Sequence, residues 1–173
     1  PDDERLTHEF ERTLPGRGAM MMSRYREAMP EVSSSELFCA YETDRMFRMP
    51  TIRLAEARFS HIAPTWQYLF DWPCAFNRRL KSCHVMEVPF VFGVTDKPAG
   101  QFFTGGGEEA VQLSRQVRQA WSSFANGKAP MAEGWPEWPV YKPNHRAVLH
   151  MAAASNVQID PQSERRLLWD EVL

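Results

Sequence analysis

The sequence predicts an α/β chain that is rich in helix and carries only a few strands. Three observations lead there. Capped and amphipathic helical stretches fill the first third of the chain and recur later; one aromatic-alternating run, "PTWQYLFDW", reads as a strand among them; and two short apolar runs, "RAVLHMA" and "NVQID", follow near the end.

The helices begin with "ERLTHEFERTL", "GAMMMSRYREAM" and "SSSELFCAYETDRMF", where Ser33, Ser34 and Ser35 can cap the orphan amides of a helix start. Pro50 opens a fourth, "PTIRLAEARFSHIA", because proline is tolerated in a first turn, where its missing N–H is not needed. In the strand, Trp66, Tyr68 and Phe70 alternate with Gln67, Leu69 and Asp71, which puts the large aromatics on one face. Pro64 and Pro73 bracket it. After "LKSCHVMEVPFVFG" comes a glycine-rich loop, "PAGQFFTGGGEE", and then the longest amphipathic stretch, "EEAVQLSRQVRQAWSSFANG". Its Val111, Leu113, Val117, Ala120, Trp121 and Phe124 fall near helical spacing, and Gly127 supplies a C-cap. A proline and tryptophan connector leads to the two short strands and a closing helix, "PQSERRLLWDEVL". About seven helices around so little strand is an imbalance, because the edges of the aromatic strand need partners that the chain hardly supplies. Alone, its aromatic face and open edge would be exposed and prone to self-association.

At 173 residues, 43% hydrophobic and 12% aromatic, the chain can build a packed core, which excludes disorder. A net charge of -2 leaves no polybasic footprint, so neither nucleic acid nor an anionic membrane is the expected partner; a small uncharged substrate fits better. Cys39, Cys74 and Cys83 are odd in number and irregular in spacing. That argues against a disulfide framework and fits free thiols in a reducing, cytoplasmic compartment, although a single bridge stays open. No run reaches the apolar length of a membrane span, and the opening "PDDERLTHEFERTLPG" is charged where a secretory signal would be apolar. There is no initiator methionine, and Asp2, Asp3 and Glu4 enter in the style of a helix already under way. The chain reads as a piece of something longer.

His84 is the side chain best placed for chemistry. A histidine in a loop just beyond a strand is held by the strand end and exposed by the loop, as acid and base work requires; the alternative is a hydrogen-bonded structural histidine. His8, His61, His145 and His150 are less well placed. A nucleophile to serve is missing: there is no Gly-x-Ser-x-Gly elbow, and the serines at 33–35 are better explained as caps. Cys83 adjoins His84, but neighbours in an extended or turn segment point apart, so the two do not form a dyad. Cys74, Cys83 and His84 lack the spacing of a zinc site, and no metal or other cofactor is expected. "TGGGEE" lacks the lysine of a phosphate loop, and its glutamates would repel phosphate.

Six ordered blocks, "PTIRLAEARFS", "PTWQYLFDW", "CHVMEVPFVFG", "LSRQVRQAWSSFANGKAP", "WPVY" and "DPQSERRLLW", resemble the type-B carboxylesterase and cholinesterase family of α/β-hydrolases in order and approximate spacing. The most specific is H-x-x-E-x-P-F-V-F-G. The resemblance implies the C-terminal part of the α/β-hydrolase fold, with residues 1–173 one segment of a single domain. It implies that His84 is the base of a serine esterase working through an acyl-enzyme, with Glu87, Pro89, Phe90, Phe92 and Gly93 as the support of its block. Glu87 is not the triad acid, since this fold orders its triad serine, acid, histidine, and Glu87 follows the histidine; a structural hydrogen bond is its expected role.

The family's nucleophile elbow, oxyanion loop and acid have no counterpart between residues 1 and 83, and Asp2, Asp3 and Glu4 sit in no acid motif. The expected partner is therefore an upstream segment of the same protein, covalent or as a cleaved companion, and the expected substrate a small uncharged ester. Phe90, Phe92 and Phe102 could shape its pocket, with core packing the competing role for each. Two other readings compete with the esterase: a cholinesterase-like interaction module without catalysis, and a self-contained helical binding domain, which the orphan strand disfavours.

Overall fold

Helix starts and stops fall where local chemistry puts them. In the computed structural model, which describes residues 3–61 and 63–172, the helices α1 (Asp3–Thr13), α2 (Gly18–Ala28), α3 (Ser34–Thr43) and α4 (Met49–Phe59) precede strand β1 (Gln67–Phe70). Then follow α5 (Val88–Val91), α6 (Pro98–Thr104), α7 (Gly107–Ala125), β2 (Ala147–Met151), β3 (Asn156–Ile159) and α8 (Ser163–Asp170). Asp2 of the acidic opening, Ile62 in the fourth expected helix and Leu173 in the last lie outside the described residues. The chain divides into two units, Pro1–Arg58 with Pro161–Leu173, and Phe59–Asp160.

In the first unit Ser33 caps α3 as expected: its Oγ accepts from the Glu36 N–H at 3.3 Å while the Glu36 carboxylate accepts from the Ser33 N–H at 3.2 Å. The third and fourth expected helices prove to be continuous. A π-helical turn, Asp44–Arg48, joins α3 to α4, and the Met49 N–H reaches back to the Asp44 carbonyl. The cause is Pro50, which has no N–H to donate and whose ring would crowd the preceding turn of a regular helix; widening that turn accommodates it without ending the helix. The core is aromatic. Phe10 stacks on Tyr41 with ring centroids 3.7 Å apart, Tyr41 stacks on Trp169, and Tyr25 meets Phe10 and Tyr41 edge-on.

Asp44 lies wholly buried in this unit. The Tyr25 hydroxyl donates to it at 2.7 Å, Arg165 Nε lies 3.0 Å away and Arg48 Nη1 3.5 Å away. Trp169 Nε1 in turn donates to the Tyr25 oxygen at 2.6 Å. Burial, followed by the Asp44 charge, pushes the Tyr25 phenol far up.

In the second unit β1 pairs parallel to β2, with Leu69 opposite His150, and β2 pairs antiparallel to β3, giving the order β1-β2-β3. Ala147, Leu149 and Met151 alternate into the core. The aromatic run is a shorter strand than its composition suggests, since Pro64 offers no N–H and the Thr65 carbonyl is taken by the Tyr141 N–H at 2.8 Å. Its aromatic face corrects an expectation: it is not left bare. Trp66 meets Phe124 and Tyr68 meets Trp121, both on α7, while Phe70 meets Phe90 on α5, because the apolar stripe of α7 faces the strand. Tyr68 nevertheless keeps 42% of its surface exposed, and the outer edge of β1 has no partner strand among the described residues.

The expected glycine-rich loop is half helix. Pro98 starts α6 and Gly105 stops it at φ 79°, so only the glycines form the link to α7. Gly127 terminates α7 as expected: at φ 74° it donates to the Phe124 carbonyl at 2.9 Å while the Lys128 N–H bonds Ser123 at 3.1 Å.

Candidate active site

The His84 segment is built on the end of β1. Ser82 Oγ donates to the Phe70 carbonyl at 2.9 Å, and the Cys74 N–H donates to the Lys81 carbonyl at 2.8 Å, so both sides of the approach to His84 are tied down. Beyond it the Met86 N–H bonds the Cys83 carbonyl at 3.1 Å and the Met86 side chain is buried. His84 itself is exposed at the crest of this turn. The next residue, Val85, has φ 65°, a left-handed conformation that a β-branched side chain disfavours. Such strain is held only where its surroundings over-determine it, here by the flanking anchors.

The rest of the block explains its own composition. Pro89 stands in the first turn of α5, where no N–H is needed, and Phe90 fills the core against Phe70 and Trp72 at centroid distances of 5.1 and 5.2 Å. Ser114 of α7 donates to the Phe90 carbonyl at 2.8 Å. Gly93, at φ 68°, closes the helix: its N–H bonds Phe90 at 3.3 Å and the Val94 N–H bonds Pro89 at 2.9 Å. A Cβ there would also lie 3.0 Å from the Arg118 guanidinium. The motif is thus a histidine turn bolted to the core by one methionine, one phenylalanine and a capped helical turn.

The remaining candidates divide cleanly. Cys83 is half-buried against the core cluster that contains Cys74, whereas His84 is exposed, so the two neighbours do point apart. Glu87 lies near enough to Tyr68 that, after burial, its charge pushes the Tyr68 phenol up. Phe90 is a core residue and is unavailable to a pocket; Phe92 is exposed, and Phe102 stacks on Phe76 at 4.8 Å. Asp3 belongs to the first unit, where Ser34 Oγ donates to it at 2.6 Å and Arg26 at 2.9 Å, and these partners hold its carboxyl below the usual range. An open groove at the end of α7, lined by Gln119, Ser122, Ser123, Asn126, Lys128 and Met131, offers no carboxylate, imidazole or thiol. No cluster of metal-ligating side chains occurs among the described residues, and no described helix is long and apolar enough to cross a membrane.

One pair escaped the sequence. His150 Nε2 stands 3.0 Å from Asp71 Oδ2, joining β2 to the residue that follows β1. These residues lie far apart in the chain, and only the parallel register, with Leu69 opposite His150, brings them together.

Residues 12–169 match the Carboxylesterase family. The para-nitrobenzyl esterase of Bacillus subtilis (strain 168) is 36% identical over 124 residues, which cover 72% of this chain and 25% of that protein. Cocaine esterase of Oryctolagus cuniculus is 31% identical over 168 residues, covering 92% of this chain and 30% of that protein. Among solved structures, a Geobacillus stearothermophilus carboxylesterase superimposes with a TM-score of 0.80 at 28% identity, over 96% of this chain and 35% of that one. A PNB esterase structure gives 0.74 at 28% identity, over 100% of this chain and 34% of that one. The chain therefore spans about a quarter to a third of the length of the relatives it matches. Its helix-rich fold with a small sheet is part of an α/β-hydrolase fold.

Proposed function

The chain belongs to the carboxylesterase family, and on that premise we propose that it forms the C-terminal part of a serine esterase domain, in which His84 is the catalytic base. An upstream segment of the same protein supplies the serine, the acid that orients the imidazole, and the amides of the oxyanion hole. His84 takes the serine proton as the serine oxygen attacks the carbonyl of a small uncharged ester, then gives that proton to the leaving alcohol. In the second half it activates the water that releases the acid. The chemistry needs no metal or cofactor.

The observation that carries this reading is the mounting of His84: an exposed imidazole on a strained turn whose two sides are fastened to the end of β1 and to the core through Met86 and Phe90.

The test is kinetic, on the protein that carries both this chain and its upstream segment. His84→Ala should lower kcat on a p-nitrophenyl ester by on the order of 10⁶-fold with little change in unfolding midpoint, because base and nucleophile act as one unit. The wild-type kcat/KM should rise with pH through one limb between about pH 5 and 8, where histidine titrates. Undiminished turnover by folded His84→Ala rejects the assignment. A wild-type protein that folds with its upstream segment yet hydrolyses no ester favours the non-catalytic interaction module instead.

A further inference from the structure

Of the three cysteines, two share one apolar cluster. Cys74 is fully buried and Cys83 half-buried in the same apolar cluster, both as free thiols, and the backbone bond from Cys74 N–H to Lys81 carbonyl at 2.8 Å draws together the two arms that carry them. Burial, followed by the neighbouring Cys74 thiol, pushes the Cys83 thiol up within this shared apolar cluster. Cys39 stands apart from them on α3, exposed.

We propose that Cys74 and Cys83 are a thiol–disulfide modification site, closed by low-molecular-weight disulfides, and that closing it displaces His84. The half-buried Cys83 is the entry point. Its thiolate attacks the oxidant, for example glutathione disulfide, breaking that S–S bond, forming a mixed disulfide and releasing one glutathione, which takes the proton Cys83 gave up. The Cys74 thiolate then attacks the Cys83 sulfur and releases the second glutathione, likewise protonated, so one protein disulfide replaces one glutathione disulfide with no net proton change.

The mechanical link is short. A covalent S–S bond of about 2.0 Å is far shorter than any non-bonded approach of two sulfurs, so Cys83 must move toward Cys74 to close it. His84 is the next residue, and Val85 already sits at φ 65° with little freedom to absorb the shift. The displacement therefore falls on the imidazole. Because the thiols lie at the base of the turn and His84 at its crest, oxidation acts on the position of the base without occupying the site.

The effect on activity rests on His84 being the base; the cross-link itself does not, and the two are read separately. The native protein, reduced and then held with glutathione disulfide at about pH 8.5, where an ordinary thiol is about half ionised and the raised Cys83 thiol supplies a smaller thiolate fraction, is alkylated and digested with trypsin without reduction. Trypsin cuts at Arg78, Arg79 and Lys81, so the bridge should appear as residues 59–78 joined to residues 82–115, the bond before Pro98 resisting cleavage. Cys74→Ser should abolish the joined peptide and leave one glutathionyl group on Cys83, while Cys39→Ser should leave the joined peptide intact. Esterase activity should fall at least tenfold as the bridge forms and return with dithiothreitol, in both wild type and Cys39→Ser. Glutathione found only on Cys39, or Cys83 joined to Cys39, overturns the site. A quantitatively bridged protein with full activity overturns the coupling to His84. If the reduced protein has no esterase activity at all, the functional reading has failed while the peptide map still decides the bridge.

Discussion

The two units put their polar chemistry in opposite places. In the first, the charge is inside: Asp44 is sealed beneath Tyr25, Arg48 and Arg165, and the aromatic rings of Phe10, Tyr25, Tyr41 and Trp169 close over one another. In the second, the interior is nearly all apolar, with Trp72, Met86, Phe90, Leu113 and Leu149 at its centre. There the acid and base groups, His84 and the Asp71–His150 pair, stand at or toward the surface around the sheet. The lesson is one of division of labour. A buried ion cluster specifies one packing of helices and can do no chemistry, because nothing reaches it; an apolar block can hold a turn rigidly while presenting its imidazole to whatever arrives.

The sharpest way to break the first unit is to remove the charge at its centre. Asp44→Ala leaves Arg48 and Arg165 facing one another without a counter-ion, and should cost about 3–5 kcal/mol, read as a fall in the urea midpoint. Replacing Asp44, Arg48 and Arg165 together with apolar residues should recover much of that loss, which would show that the cluster serves specificity more than stability. A small effect of Asp44→Ala would mean that the aromatic stack alone holds the unit.

In the second unit the comparable change is Phe90→Ala, which should cost about 3–5 kcal/mol through the cavity it leaves. It should also do what Asp44→Ala does not. Because Phe90 and Met86 anchor the His84 turn, the proposed role of His84 as base further requires that esterase kcat of the protein with its upstream segment drop at temperatures where the variant is still folded.

High pH should then loosen the first unit most, since Tyr25 is pushed far up and Tyr41 up as well, while in the second unit the phenol pushed up is Tyr68. Burial raises both Tyr25 and Tyr41, so above pH 10, where an unfolded tyrosine ionises, the unfolded chain releases protons that the native one retains. Stability is therefore complete below that value and declines as pH rises beyond it. Hydrogen exchange at amides of α1, α2 and α3 should quicken accordingly, and Tyr41→Phe should reduce the pH dependence while also losing the 2.6 Å bond to Thr13.

The smallest expected effect is at the cap of α3. Ser33→Ala removes one half of a capping box and should cost about 1 kcal/mol. Ser33→Asp should restore most of it, since a carboxylate at that position also meets the positive end of the helix.

Local rules made much of this legible from the residues alone. Ser33 and Gly127 marked helix ends because capping depends on a few neighbouring amides and carbonyls. The alternation of Trp66, Tyr68 and Phe70 announced a strand with one aromatic face because side chains on a strand alternate whatever lies around them. The block from His84 to Gly93 was recognisable because a turn, a core anchor, a proline-started helix and a glycine stop all fall within ten successive positions. What stayed hidden depended on partners distant in the chain. The cover over the aromatic strand came from α7, the pairing of Asp71 with His150 from the parallel register, and the buried charge cluster from α8 reaching Asp44. Pro50 looked like a helix start because proline usually is one; only the packed unit, stabilising Leu37, Tyr41, Met49 and Ile52 along one continuous helical run, made a widened turn cheaper than a break. Sequence determined which residues could cap, alternate and turn, since those choices are made within a few residues. Tertiary structure decided which charges are buried, which thiols share a cluster and how His84 is mounted, because each is settled by side chains that only the fold brings together.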